Sequence, residues 1–151
     1  MAETFTIRPL APADIADIAR WVAATPLWQR YNVTETSFAE RLANGATIFV
    51  ATRADAVLGF VWVVPRGAFN RSAYIQLIGV RPDARASGVG RALMEFAEAH
   101  APSRDIFLLV SDFNTAAQNF YARLGYVQVG KLDDYVVQGV SELVFWKRRA
   151  N

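Results

Sequence analysis

Between Ile78 and Leu93 the chain reads Ile-Gly-Val-Arg-Pro-Asp-Ala-Arg-Ala-Ser-Gly-Val-Gly-Arg-Ala-Leu. An apolar strand gives way to a polar loop, a glycine-containing turn and the start of a helix, which commits the chain to a mixed α/β architecture. Physically this is an anion cradle. Gly88 and Gly90 let successive backbone N–H groups approach an oxyanion, and a helix start adds unpaired donors and roughly half a positive charge. Arg85 and Arg91 bracket the turn with side-chain charge, so phosphate or pyrophosphate is the natural ligand. Two look-alikes fail. A P-loop needs Gly-Lys-Ser/Thr, yet Gly90 is followed by Arg91-Ala92, and a dinucleotide fingerprint needs a third glycine where Leu93 stands. Taken alone, the two glycines are equally compatible with a plain strand-to-helix turn.

The flanking segments supply the rest of a fold. Phe5–Pro9 alternates as a short strand, and Pro12-Ala13-Asp14 opens a helix with apolar positions at Ile15, Ile18, Ala19 and Val22 that Pro26 ends. Residues 26–36 read as irregular and aromatic, and Ser37 is placed to cap a second helix running to Asn44-Gly45. Strands follow at Thr47–Arg53, Val57–Val64 and Ala73–Val80, joined by a tight Ala54-Asp55-Ala56 connection and a longer one beginning at Pro65-Arg66-Gly67. After the cradle come a helix over Val89–Ala99, a buried strand over Ile106–Ser111, a helix from Asn114 to Leu124-Gly125, and strands around Tyr126–Lys131 and Glu142–Lys147. The order β-αα-βββ-α-β-α-ββ places strands centrally with helices on the faces. With 151 residues, 53% of them hydrophobic, one domain over residues 1–151 is expected.

Composition narrows the chemistry. There is no Cys, which excludes disulfides, a thiol nucleophile and thiolate metal sites, and His100 is the one His, so a multi-His metal cluster is impossible. His100 reads as a surface residue at a helix C-terminus. Formal net charge is +2, with no Lys/Arg run longer than Lys147-Arg148-Arg149, so no nucleic-acid footprint is expected. No apolar stretch reaches the ~18 residues that span a bilayer, and the first residues lack a signal-peptide pattern. A cytoplasmic chain without membrane contact is the expectation.

A second segment gives the cradle its meaning. Ser111–Tyr126 reads Ser-Asp-Phe-Asn-Thr-Ala-Ala-Gln-Asn-Phe-Tyr-Ala-Arg-Leu-Gly-Tyr. Together the two segments resemble the GCN5-related N-acetyltransferase (GNAT) superfamily. Its acetyl-CoA loop, Gln/Arg-x-x-Gly-x-Gly/Ala, is matched by Arg85 through Gly90, and its later signature by Asn114, Ala117, Phe120-Tyr121 and Leu124-Gly125-Tyr126. The resemblance implies the acyl-CoA N-acyltransferase fold, a mixed and mostly antiparallel sheet of six to seven strands flanked by about four helices. It also implies acetyl-CoA as co-substrate, with no metal, and transfer to a primary amine of a small molecule or peptide by direct attack in a ternary complex.

In such a fold the strands ending at Val80 and Ser111 splay apart, and the pantetheine arm lies in the opening. Ile78, Gly79 and Val80 would hold the arm, and Arg85, Ala86, Ser87, Gly88, Val89, Gly90 and Arg91 would take the pyrophosphate, with Asn114, Ala117 and Phe120 along the arm. Tyr121 matches the tyrosine that protonates the departing thiolate; a phenol at pKa ~10 stays protonated at neutral pH. Outside the motif it would read as a core aromatic. Asn114 has a double reading, as helix N-cap and as contact to the CoA arm.

Two departures stand out. Ala86 replaces a glycine common in relatives, so either its backbone stays in a normal region or the loop is reshaped. The outward set Tyr74, Gln76, Ile78 and Val80 carries no carboxylate, so no strand-four base is present. Glu35, Asp112, Asp133 and Asp134 remain as carboxylates that read equally as solvated, capping or turn residues. Trp28, Tyr31, Glu35, Tyr74, Gln76, Asp112 and Tyr135 are the candidate acceptor-binding residues. The resemblance further raises pairing of two copies through terminal strands. A catalytically inactive acyl-CoA sensor or an interaction module on the same fold is the alternative.

Overall fold

The structure, a computed structural model, describes residues 4–150. Seven strands hydrogen-bond in the order β1-β2-β3-β4-β5-β7-β6: β1 Thr6–Pro9, β2 Ile48–Arg53, β3 Ala56–Ala68, β4 Ser72–Val80, β5 Asp105–Ser111, β6 Val127–Leu132 and β7 Glu142–Arg148. The helices are α1 Ile15–Ala23, α2 Pro26–Gln29, α3 Glu35–Asn44, α4 Val89–His100 and α5 Thr115–Arg123. The pairs β1–β2, β2–β3, β5–β7 and β6–β7 are antiparallel, and β4–β5 is parallel. The chain forms two compact units, one of residues up to Val63 with Leu77–Ala99, the other of Val64–Gln76 with His100 onward.

The first unit is built on the apolar stripes of α1 and α3. Ile18, Ala19 and Val22 recur at helical spacing and meet Phe38 and Leu42 of α3 and Ile48, Val50, Val57 and Phe60 of the strands. Phe60 is the hub, with Trp21 and Phe38 rings each 5.9 Å away. Each such side chain buried contributes about 1.5–3 kcal/mol of transfer free energy. Thr34 caps α3 by accepting the Ser37 N–H at 3.0 Å, and the Ser37 hydroxyl accepts the Thr34 N–H in return. Ser37 is thus the third helical residue rather than the cap, because two reciprocal bonds satisfy two donors where one cap would satisfy one. Residues 26–29 form a helical turn, not an irregular segment, since Pro26 is preset for a first helical position. Gly59 brings α4 down onto the strands. A Cβ there would lie 2.7 Å from the Gly79 carbonyl oxygen and within 3.3 Å of Leu93 and Val89. The seat of α4, and with it the cradle, depends on that missing side chain.

In the second unit β5 pairs with β7 over Asp105–Ser111 and β7 with β6. Ile106, Leu108, Val110, Leu143 and Phe145 are buried, while Phe107, Leu109, Val144 and Trp146 on the alternate positions are half-buried. Asp105 fixes the far end, accepting from Trp146 Nε1 at 2.9 Å and Arg148 Nε at 3.0 Å. The connection expected at Pro65-Arg66-Gly67 is instead strand: β3 runs to Ala68 and turns at Phe69-Asn70, both with positive φ. Proline is tolerated there because the β2 partners of β3 end at Trp62, so the ladder asks no N–H of Pro65 on that side.

Candidate functional site

The cradle lies in the first unit, where β4 leaves the sheet. The Arg81 N–H donates to the Leu58 carbonyl at 2.8 Å, holding β4 on β3 to its last residue. Pro82–Ala84 then makes one 3₁₀ turn. Gly79, expected to hold the pantetheine arm, is required as glycine by packing: a Cβ would meet Phe60 at 2.6 Å and Trp21 at 3.2 Å. Ala86 adopts φ +62° and Gly88 φ +88°. The uncertainty over Ala86 is thereby resolved: the alanine takes the left-handed conformation, at a cost of about 1–2 kcal/mol. Strain of that kind persists where surrounding structure enforces it, and it clusters at ligand-holding turns.

The first helical hydrogen bond of α4 runs from the Ala92 N–H to the Gly88 carbonyl at 3.0 Å. Helix geometry therefore leaves the amides of Gly88, Val89, Gly90 and Arg91 without intrahelical acceptors. Space is available in front of them, since a Cβ built on Gly88 meets nothing within 4 Å. Arg85 is exposed, its Nε 3.4 Å from the Val80 carbonyl, and Arg91 reaches Glu95 at 3.0 Å across an exposed pair. Ser87 is engaged inward: its hydroxyl donates to the Ala84 carbonyl, which leaves only its lone pairs for a ligand. The turn can accept a phosphate mainly through backbone donors, with Arg85 and Arg91 at its rim.

The second unit contains the other half of the sequence-derived set. Asn114 caps α5, its Oδ1 accepting the Ala117 N–H at 3.1 Å, and Gln118 Nε2 ties the preceding carbonyls of Ser111 and Asp112 at 3.1 and 3.0 Å. This fixes the end of β5 to the start of α5. Tyr121 lies on the buried side of α5, 7% exposed, with Phe120 at 5.2 Å, Tyr126 at 6.0 Å and Phe145 at 6.3 Å. Burial pushes its phenol well above the usual tyrosine range, with the Tyr74 phenol adding to the shift. The phenol is therefore protonated at neutral pH.

The β4–β5 ladder covers Ala73–Ile75 against Ile106–Leu108, whereas β5 continues to Ser111. Leu109–Ser111 thus extend past the last β4–β5 pair. Tyr74 and Gln76, both half-buried, lie where that ladder ends.

The remaining acceptor candidates are dispersed. Trp28 stacks on Phe38 at 6.1 Å within the first unit's core, and Tyr31 is half-buried beyond α2. Glu35 sits exposed in the first turn of α3, where a carboxylate favours the helix start. Asp112 belongs to a clasp: its N–H donates to the Ser141 carbonyl at 2.9 Å and its carboxylate accepts the Ser141 N–H at 3.3 Å. Asp133 accepts the Ser141 hydroxyl at 2.7 Å, and Asp134 accepts the Gly139 N–H at 2.6 Å. These three carboxylates shape the 133–141 loop, and Tyr135 projects from it, 62% exposed. Sequence reading missed Glu142, a carboxylate only 6% exposed at the start of β7. Its signal was present, as an acidic residue opening an otherwise apolar strand. Among the described residues no group of three His, Asp or Glu side chains is placed to hold a metal ion, and no helix is long and apolar enough to cross a membrane.

Comparison with known proteins agrees with this fold. A mycothiol acetyltransferase of Streptomyces scabiei is 28% identical over 139 residues, covering 84% of this chain and 44% of that enzyme. The chain thus spans less than half the length of that curated relative. Ard1 from Thermoplasma volcanium superposes with a TM-score of 0.80 at 27% identity, covering 97% of this chain and 99% of that one. YncA from Salmonella typhimurium, a structure with its cofactor acetyl-CoA, matches in fold with a TM-score of 0.71 at 17% identity, over 99% and 96% of the two chains. The acetyltransferase (GNAT) family model matches residues 15–126, from the first turn of α1 past the tyrosine-bearing helix, and the chain belongs to that family.

Proposed function

We propose that this chain transfers an acetyl group from acetyl-CoA to a primary amine by direct attack in a ternary complex. The observation that carries the reading is the turn of residues 85–91. Two left-handed residues precede a helix whose first amides have no intrahelical acceptor, and open space lies before Gly88. That arrangement suits a pyrophosphate, and Arg85 and Arg91 add charge at its edge. In the second unit, β5 runs on past Leu108, its last partner on β4, and its free backbone edge suits an extended pantetheine arm, as an added strand would use it. When bound, acetyl-CoA supplies the activated thioester. Backbone donors near Ile78–Val80 polarise its carbonyl, and Tyr121 gives its proton to the departing sulfur. Tyr74 and Gln76 face the acceptor amine.

Titration calorimetry with acetyl-CoA tests the cradle. The wild-type chain should bind, and Gly88→Asp should not, because a carboxylate would occupy the anion position and a side chain is strained at φ +88°. A folded Gly88→Asp protein with unchanged affinity would refute the assignment. CoA release across a panel of small and peptide amines then separates transferase from sensor: product on any amine supports transfer, and binding without product on all of them opposes it.

A further inference from the structure

The peptide that ends β4 fixes a direction. In a trans peptide the N–H and the C=O point opposite ways. The Arg81 N–H donates to the Leu58 carbonyl of β3 at 2.8 Å, so the Val80 carbonyl of the same peptide points to the other edge of β4. There its partner is a side chain: Arg85 Nε donates to it at 3.4 Å. All four residues belong to the first unit.

The loop returns Arg85 to this place. The Ala84 N–H closes the 3₁₀ turn on the Arg81 carbonyl at 2.8 Å, which brings residue 85 back beside residue 80. Ala84 is buried and its carbonyl accepts the Ser87 hydroxyl, while Ala86 is left-handed. The backbone is therefore held on both sides of Arg85, and its side chain is exposed and able to move. The bond to Val80 is long for N–H···O, and a neutral carbonyl is a poorer partner for a guanidinium than a diphosphate, which can accept two parallel N–H···O bonds.

Resting on the acetyl-CoA reading above, we propose that Arg85 is a positioning residue, a latch on the Val80 carbonyl that opens the β4 edge to a thioester only when its arm carries a diphosphate. An extended arm laid along a strand edge offers amide N–H groups and needs strand carbonyls to accept them. With Arg85 in place, the last such carbonyl of β4 is taken. Arg85 gives it up when drawn to a diphosphate held at the amides of Gly88–Arg91, so occupation of the cradle frees the acceptor that the arm requires. An arm without a diphosphate must displace the arginine unaided. The latch thus selects free acyl-CoA thioesters over acyl-pantetheine thioesters that lack the nucleotide.

The test offers the two halves of acetyl-CoA separately to wild type and Arg85→Ala, with affinities read by NMR titration. One half is S-acetylpantetheine, which is neutral, and the other is the phosphoadenosine diphosphate. Arg85→Ala should weaken the nucleotide by about tenfold, through loss of a charge-assisted contact. It should tighten S-acetylpantetheine by about three- to tenfold, the worth of one hydrogen bond that no longer has to be displaced. The opposite signs are diagnostic. A role in charge alone would leave the neutral arm unchanged, and damage to the turn would weaken both halves; either result overturns the latch. If Arg85→Ala does not fold, Arg85→Lys, which has a methylene where Nε stands, decides by the same S-acetylpantetheine comparison. Wild-type protein that does not bind acetyl-CoA would instead mark failure of the cofactor reading, and the latch would fall with it.

Discussion

Tyr121→Phe separates chemistry from packing more cleanly than any other substitution in the chain. The ring is 7% exposed and touches Phe120, Tyr126 and Phe145 through its faces and edges, contacts that phenylalanine keeps. Burial raises the pKa of the hydroxyl, and the Tyr74 phenol adds to the shift. The substitution removes one hydroxyl and keeps every ring contact, so stability should change by only about 1 kcal/mol. Transfer of a proton to the leaving thiolate is a different matter. Loss of a general acid lowers turnover by on the order of 10²-fold, and at 1.36 kcal/mol per factor of ten that is about 2.7 kcal/mol of transition-state stabilisation. The pH dependence has a definite sign. A phenol whose folded pKa is raised stays protonated past its ordinary value near 10, so wild-type turnover should show no alkaline loss from Tyr121 below pH ~10. The assay is CoA thiol release under saturation with both substrates, checked by single turnover so that chemistry is what is read. A drop confined to kcat, with acetyl-CoA affinity and Tm held, is the expected result. Full turnover in the phenylalanine variant would refute the acid role and leave the fold and cradle standing.

Other substitutions test the scaffold that holds these groups. Gly79→Ala places a methyl 2.6 Å from the Phe60 ring, so thermal or urea unfolding should show a loss of about 1–3 kcal/mol. Gly88→Ala meets no atom within 4 Å and should lose only the ~1 kcal/mol that a left-handed alanine costs. Asn114→Ala removes the α5 cap and should destabilise by about 1 kcal/mol in the same measurement. Asp14 accepts Arg8 at 2.7 and 2.9 Å and the Ala11 N–H at 2.7 Å, and the Arg8 hydrogen bond holds its carboxyl below the ordinary range. A depressed folded pKa contributes stability above the unfolded value near 4 and loses it as pH falls through the folded one. Asp14→Asn should therefore cost roughly 1–2 kcal/mol at pH 7 and almost nothing near pH 2, by urea unfolding at both pH values.

How much of this was legible beforehand depends on whether the information is local. The cradle was legible because glycine spacing and a helix start are written in consecutive residues, and Asn114 because a cap needs only its own helix. The end of β3 was misread because Pro65 breaks a strand only when its N–H is required, and that depends on where β2 stops, some distance away in sequence. Ala86 shows the same limit: alanine's preference is a local prior, and the turn into α4 overrides it at φ +62°. Asp112, Asp133 and Asp134 read as solvated, capping or turn residues without named partners, because those partners, Ser141 and Gly139, lie across a loop closure that no short pattern announces.

Glu142 is the sharpest instance. In sequence it opens a strand and looks like a solvated end residue. The pairing with Ser111, 31 positions earlier, puts it under cover and on the face of Tyr74 and Phe107. Register rather than residue spacing decides which side chain is covered and which face of the sheet it shares.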